Sequence, residues 1–218
     1  MRTYYDDILS QYTAKLSRMG VLVSQSLGKA MNAFQDKQVE LAHEIIAMDS
    51  QINQQHQAIE QEAFSIIALQ QPVADDLRLI IAVMQASNDL ERIADHATNI
   101  AQGVIRLEGN FQTIPELDGM ISQLFTIVEA MITGAIDAFI IDDEDLARQI
   151  AQRDDEVDAC LAEIHEHTIQ YMKSDRQLVR SGADYLYIAN SLERIGDYMT
   201  NICERVLFKA SRSQESLN

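Results

Sequence analysis

Thirteen residues of this chain occur twice. Asn88-Asp89-Leu90-Glu91-Arg92-Ile93-Ala94-Asp95-His96-Ala97-Thr98-Asn99-Ile100 returns as Asn190-Ser191-Leu192-Glu193-Arg194-Ile195-Gly196-Asp197-Tyr198-Met199-Thr200-Asn201-Ile202, with nine positions identical. The offset is constant, since 193 − 91, 197 − 95 and 201 − 99 all equal 102. A period close to half of a 218-residue chain means two copies of one structural unit. Within each copy a Glu, an Asp and an Asn recur at i, i+4 and i+8, which stacks them along one line of a helix.

Apolar residues keep a spacing of three and four through most of the chain. Ile8, Tyr12, Leu16, Met19, Val23, Leu27, Ala30 and Phe34 form one stripe, and Leu41, Ile45, Met48, Ile52, Ile59, Ala63 and Ile66 a second. Ala86, Leu90, Ile93, Ala97, Ile100 and Val104 form a third. Each stripe marks an amphipathic helix, and no stretch alternates as a strand does. With only two prolines, Pro72 and Pro115, long helices are permitted. Breaks fall near Asp36, at Gln70-Gln71-Pro72 and between Gly109 and Pro115, and both prolines suit the first turn of a new helix. Beyond Pro115, helices are expected over about 116–140, 143–172 and 175–210. The fold class is therefore all-α: two tandem three-helix bundles of six long antiparallel helices. The first repeat spans 1–110 and the second 111–211, followed by a polar tail at 212–218.

On a helical wheel the Glu, Asp and Asn of each copy lie about 160–240° from Ile93 or Ile195, on the face turned away from the apolar stripe. Acids there are ordinarily solvated, and Arg92 or Arg194 can pair with Asp95 or Asp197 for a few tenths of a kcal/mol. Solvated faces drift between repeats, however, and this one is repeated more closely than the inner face. The preceding helix adds a second pair: Asp154 and Asp158 in one copy, Asp49 and Asn53 in the other. Counted from Gln71, Asn53 and Asp49 lie 18 and 22 residues before the turn, and Glu91 and Asp95 lie 20 and 24 after it. Antiparallel packing brings such groups level. Several carboxylates held together repel, and a bound cation relieves the repulsion. Oxygen ligands favour Mg²⁺, Mn²⁺, Ca²⁺ or iron.

The charge balance, 17 basic against 34 acidic residues, gives −17 and excludes nucleic acid as a partner. No apolar run approaches the roughly 20 residues of a membrane span, so no transmembrane segment is expected. The first residues lack the apolar core of an export signal. Cys160 and Cys203 are too far apart in level for a disulfide and suit a reducing compartment, so a cytoplasmic location is expected. Wide apolar stripes favour a homodimer.

Asn-x-Leu-Glu-Arg-Ile-(Ala/Gly)-Asp-x-x-x-Asn-Ile, found on the third helix of both repeats, resembles the PhoU family of phosphate-signalling proteins. Gln70-Gln71-Pro72-Val73-Ala74-Asp75-Asp76-Leu77-Arg78-Leu79-Ile80 is similar to that family's entry into its third helix. The resemblance implies a cytoplasmic negative regulator of phosphate uptake and the phosphate-starvation response. It implies an adaptor between a phosphate ABC transporter, through its ATPase, and a sensor histidine kinase. It also implies multinuclear metal clusters, with iron, zinc, manganese or magnesium as candidates. By position, one cluster uses Asp49, Glu91 and Asp95, the other Asp154, Asp158, Glu193 and Asp197, with Asn99 and Asn201 peripheral. Asn53 stands where the family pattern expects a second acid, and the second repeat lacks the Pro-Val-Ala entry.

The rest of the chain adds no catalytic grouping. Glu40-x-x-His43 has di-iron spacing but no inward-facing second copy, and His165-Glu166-His167 is not a zinc-binding arrangement. Asp89 falls on the apolar side of its helix and is expected to hydrogen-bond across the bundle. The expected protein is an adaptor rather than an enzyme. Its rivals are a metal-free scaffold whose acidic face binds a basic partner and, with less support from the sequence, a di-metal enzyme.

Overall fold

The computed structural model describes residues 2–107 and 112–210. These fold into α1 (Arg2–Asp36), α2 (Val39–Gln70), α3 (Ala74–Leu107), α4 (Pro115–Ile141), α5 (Glu144–Ala151), α6 (Asp154–Ser174) and α7 (Val179–Ala210), with one 3₁₀ turn at Arg176–Leu178. The fold is all-α, built of six helical arms in two repeats. The boundary expected at 110/111 and the tail at 212–218 lie outside the described residues.

Local chemistry accounts for the ends of the helices. α2 stops where Gln71 turns left-handed at φ 50° and its N–H bonds Ile67 O. α4 opens with Pro115 and closes on Asp142 at φ 59°, and Asp143 then caps α5 by accepting from Leu146 N at 2.9 Å. Pro72 departs from expectation: it lies in the connection before Ala74 rather than in a first turn. The arm expected as one helix over 143–172 is interrupted at Gln152 and Arg153. There the chain tightens to an i→i−3 bond, Arg153 N to Ile150 O at 3.0 Å, and Asp154 becomes the first residue of α6. The last helix begins later than expected, at Val179, because Asp175 caps a 3₁₀ turn by accepting from Gln177 N.

α4 also corrects the expectation about apolar length. By length and composition it could cross a membrane. Ten of its residues, from Leu117 to Phe139, are buried among the other helices. That burial accounts for the composition, because a helix enclosed on several sides needs no polar face.

The two repeats share one core. The largest interface in the molecule joins α3 to α7, the two helices that carry the repeated motif. Facing pairs across it are Asp89 with Arg205, His96 with Tyr198 and Arg106 with Asp184, so one helix ascends as the other descends. His96 and Tyr198 are equivalent positions (198 − 96 = 102), and a pseudo-two-fold axis therefore passes between their rings, whose centroids are 5.8 Å apart. The helices approach closely at Gly103, where an added Cβ would lie 3.0 Å from Ile188 Cγ1. α1 packs on α2, α3 and α4, and α7 on α3, α4, α5 and α6. Tyr12, Met19, Leu90, Ile93, Ile195 and Met199 belong to one continuous buried cluster.

Gly134 is where α4 admits α5: an added Cβ would lie 2.4 Å from Ile150 Cδ1. Gly134→Val should therefore overpack the core and cost about 1–3 kcal/mol, read as a lowered Tm in thermal unfolding.

Candidate functional site

The acid ladders are held in the same way in both halves. Glu91 keeps 19% of its side-chain surface exposed and Asp95 39%; the corresponding values for Glu193 and Asp197 are 20% and 41%. Each ladder thus faces outward, with its Glu sunk between neighbouring helices and its Asp at the rim. Arg92 spans its ladder, 3.6 Å from Glu91 and 3.3 Å from Asp95. Arg194 repeats this at 3.6 Å from Glu193 and 3.2 Å from Asp197. The i, i+3 pairs expected from sequence therefore form in both copies. Asn99 and Asn201 continue the two lines, both half-buried.

The hairpin partners meet the ladders at the expected height. Asp49 lies close enough to Asp95 and Glu91 for their charges to act on one another. Its Oδ2 accepts from Asn53 Nδ2 at 3.0 Å, while its own Oδ1 and that of Asn53 are buried with no hydrogen-bond partner. In the second half Asp154 and Asp158 act on Glu193, and Asp197 on Asp154. Asp158 is exposed. The Oδ1 of Asp154 is buried without a partner, and an added Cβ at Gly196 would lie 3.3 Å from it. The copy carrying glycine where the other has Ala94 thereby lets its acid rest against the helix backbone.

Buried acceptors in need of donors, all of them oxygen, suit hard cations. The convergence is looser than a finished coordination shell. Among the described residues no three His, Cys, Asp or Glu side chains are grouped to hold one ion. Arg92 and Arg194 lie along the carboxylates that would have to turn inward for such a group to form.

The electrostatics agree with that picture. Burial raises the pKa of Asp49, and Asp95 raises it further against the Asn53 hydrogen bond. Glu91 is raised first by burial, then by Asp95. Asp154 is raised by burial, then by Asp197 and Asp158, and Glu193 by burial, then by Asp197. Four carboxyl groups thus hold their protons more tightly than free ones.

A PhoU domain family model matches residues 16–104 and again residues 121–206. The chain belongs to the PhoU family. It is 34% identical over 218 residues to the phosphate-specific transport system accessory protein PhoU homolog of Streptococcus pneumoniae, covering 100% of both chains. It is 35% identical to the homolog of Pseudomonas aeruginosa over 200 residues, covering 92% of this chain and 82% of that one. The crystal structure of the phosphate transport system regulatory protein PhoU from S. pneumoniae superposes with a TM-score of 0.87 at 32% identity, over 95% of this chain and 97% of that one. The crystal structure of PhoU from P. aeruginosa gives 0.89 at 34% identity, over 94% and 98%. This PhoU-family chain thus carries the doubled domain that its sequence repeat announces.

Two interactions near the site, the partner of Asp89 and the setting of His96, escaped the sequence. Asp89 is 5% exposed and faces Arg205 of α7 across the inter-repeat interface at 3.9 Å, but its Oδ2 makes no hydrogen bond. The expected cross-bundle hydrogen bond is replaced by a loose ion pair. Burial pushes the Asp89 carboxyl up to about 6, against the pull of Arg205. Arg205, three residues past the second motif, was the available signal. The second feature is that both ladders act on His96: its pKa is lowered by burial, an effect that Asp95 and Asp197 oppose.

The sign of the linkage follows from the direction of the shifts. Carboxyl groups raised in the fold favour the protonated state there, so their ionisation costs stability as pH rises through the unfolded and then the folded pKa. In chelator, Asp154→Asn/Glu193→Gln should melt above the parent at pH 7.5. The gap should close towards pH 4, as followed by circular dichroism.

Proposed function

We propose that this protein is a cytoplasmic negative regulator of phosphate uptake and phosphate-starvation signalling. In this reading it is an adaptor, not an enzyme, that works between the ATPase of a phosphate ABC transporter and a sensor histidine kinase. The observation that carries it is the doubled acid ladder with partnerless buried oxygens, in a PhoU-family chain whose relatives are named phosphate-specific transport system accessory proteins. Asp49, Glu91 and Asp95 would hold metal in one half, and Asp154, Asp158, Glu193 and Asp197 in the other, with Asn99 and Asn201 at the edges. Bound cations, whether iron, zinc, manganese or magnesium, would supply positive charge to two faces that otherwise repel anionic partners. The chain's own residues would supply oxygen donors from neighbouring helices and the two arginines that must swing aside. Two copies are proposed to pair as a homodimer.

Glu193→Ala/Asp197→Ala should remove one half's metal in elemental analysis, and Glu91→Ala/Asp95→Ala the other's. Stoichiometry unchanged in both variants would refute the ligand assignment. Arg194→Ala should raise cation affinity by about threefold to tenfold, because a neighbouring positive charge that opposes the ion is gone.

A second reading has its own support. Arg92 and Arg194 already neutralise part of each ladder, and among the described residues no complete ligand set is assembled. A metal-free scaffold whose acidic face binds a basic partner would look like this. Chelation separates the two: partner capture that disappears with chelator supports the metal reading, and capture that survives supports the scaffold.

A further inference from the structure

The two repeats differ where the end of one helix meets the start of another. α1 ends at Asp36 and α4 at Ile141, so equivalent positions there are offset by 141 − 36 = 105. On that register Lys37 corresponds to Asp142, Gln35 to Ile140, Thr13 to Asp118 and Ser17 to Ser122. Lys37 and Asp142 both turn left-handed, at φ 55° and 59°.

In one copy the cleft is closed by the chain itself. Lys37 Nζ donates to Asp118 Oδ1 at 3.1 Å, and Gln35 Nε2 donates to Ser122 Oγ at 3.2 Å, roofing the first turns of α4 with side chains from the end of α1 and the turn after it. In the other copy the roof is missing. An aspartate replaces the lysine and an isoleucine, 41% exposed, replaces the glutamine. Asp142 turns instead to Lys209 of α7.

What remains is a groove between α1, α3, α4 and α7. It consists of two adjoining cavities of about 430 and 510 Å³ that share Leu79, Asp142 and Lys209. Leu9, Ala14, Leu79 and Ile140 give it an apolar floor. The Thr13 hydroxyl donates to Leu9 O at 3.0 Å. Asp75, Asp76, Asp142 and Glu144 line the far end. Arg78, Lys209 and Arg148 pair with Asp75, Asp142 and Glu144, and the exposed Asp145 stands beside Glu144, so the rim stays net negative.

We propose that this groove receives an amphipathic helix of a partner protein, with apolar residues on the Leu9–Leu79–Ile140 floor and a Lys or Arg directed to the acidic end beside Asp76 and Glu144. The charge selects the occupant: nucleic acid and anionic bilayers are repelled by the same acids that attract a basic helix. The proposal goes beyond the metal reading and does not depend on it.

The test uses the full chain and a synthetic leucine/lysine amphipathic peptide of about five helical turns. The peptide carries one Trp on its apolar face, and because the protein has no Trp, the emission reports the peptide alone. Saturable binding with a blue-shifted Trp is expected. Affinity should fall about tenfold or more in Thr13→Asp/Asp142→Lys, which rebuilds the closed copy's ion pair across the groove, and in Ala14→Phe, which fills the floor. Circular dichroism melts verify that at least one of the two variants is folded. Glu193→Ala/Asp197→Ala should bind the peptide as the parent does, whatever its metal content. The proposal is overturned by no blue shift, by undiminished affinity in a folded groove variant, or by equal binding of a permuted peptide lacking the apolar face.

Discussion

Two helices bearing the same thirteen-residue motif lie antiparallel against each other, with His96 and Tyr198 at the point where the two copies meet. From that packing the remaining layout follows. Because α3 and α7 bury their apolar stripes jointly, each must turn its acid ladder outward, towards the hairpin partner α2 or α6. α1 and α4 then fill the space beside the central pair. The asymmetric Asp89–Arg205 contact also belongs here: its counterparts in the other direction are Ser191 and Gly103, which carry no charge and allow close approach.

Much of this was legible in the residues. The stripes through Ile8–Phe34, Leu41–Ile66 and Ala86–Val104 placed the first three helices, because spacing of three and four admits no other regular structure. The repeat placed the ladders, and counting from Gln71 placed Asp49 opposite Glu91 and Asp95. The break at Gln152 and Arg153 was not legible, because neither residue disfavours a helix. It falls just past Ile150, which seats against Gly134 of α4. Pro72 was misplaced because a proline suits both a first turn and the connection before it. Sequence marks which side chains share a face, but not how far they reach. It therefore placed the acids at one height without revealing that the arginines lie along them.

The acids are held at a cost to stability. Asp49, Asp154, Glu91 and Glu193 are all raised by burial before any neighbour acts. A fold selected only for stability would carry amides or apolar residues there. Retaining carboxylates in both halves, at equal depth, is the pattern expected where charge is to be met by something outside the chain.

The shared core has a consequence for how the molecule comes apart. A duplicated sequence suggests two units that could melt one after the other. Here α3 and α7 bury apolar surface against each other within one continuous core, and neither half alone would keep that surface dry. Unfolding should therefore be one cooperative event, and a ligand gripping either half should protect amide hydrogens from exchange in both.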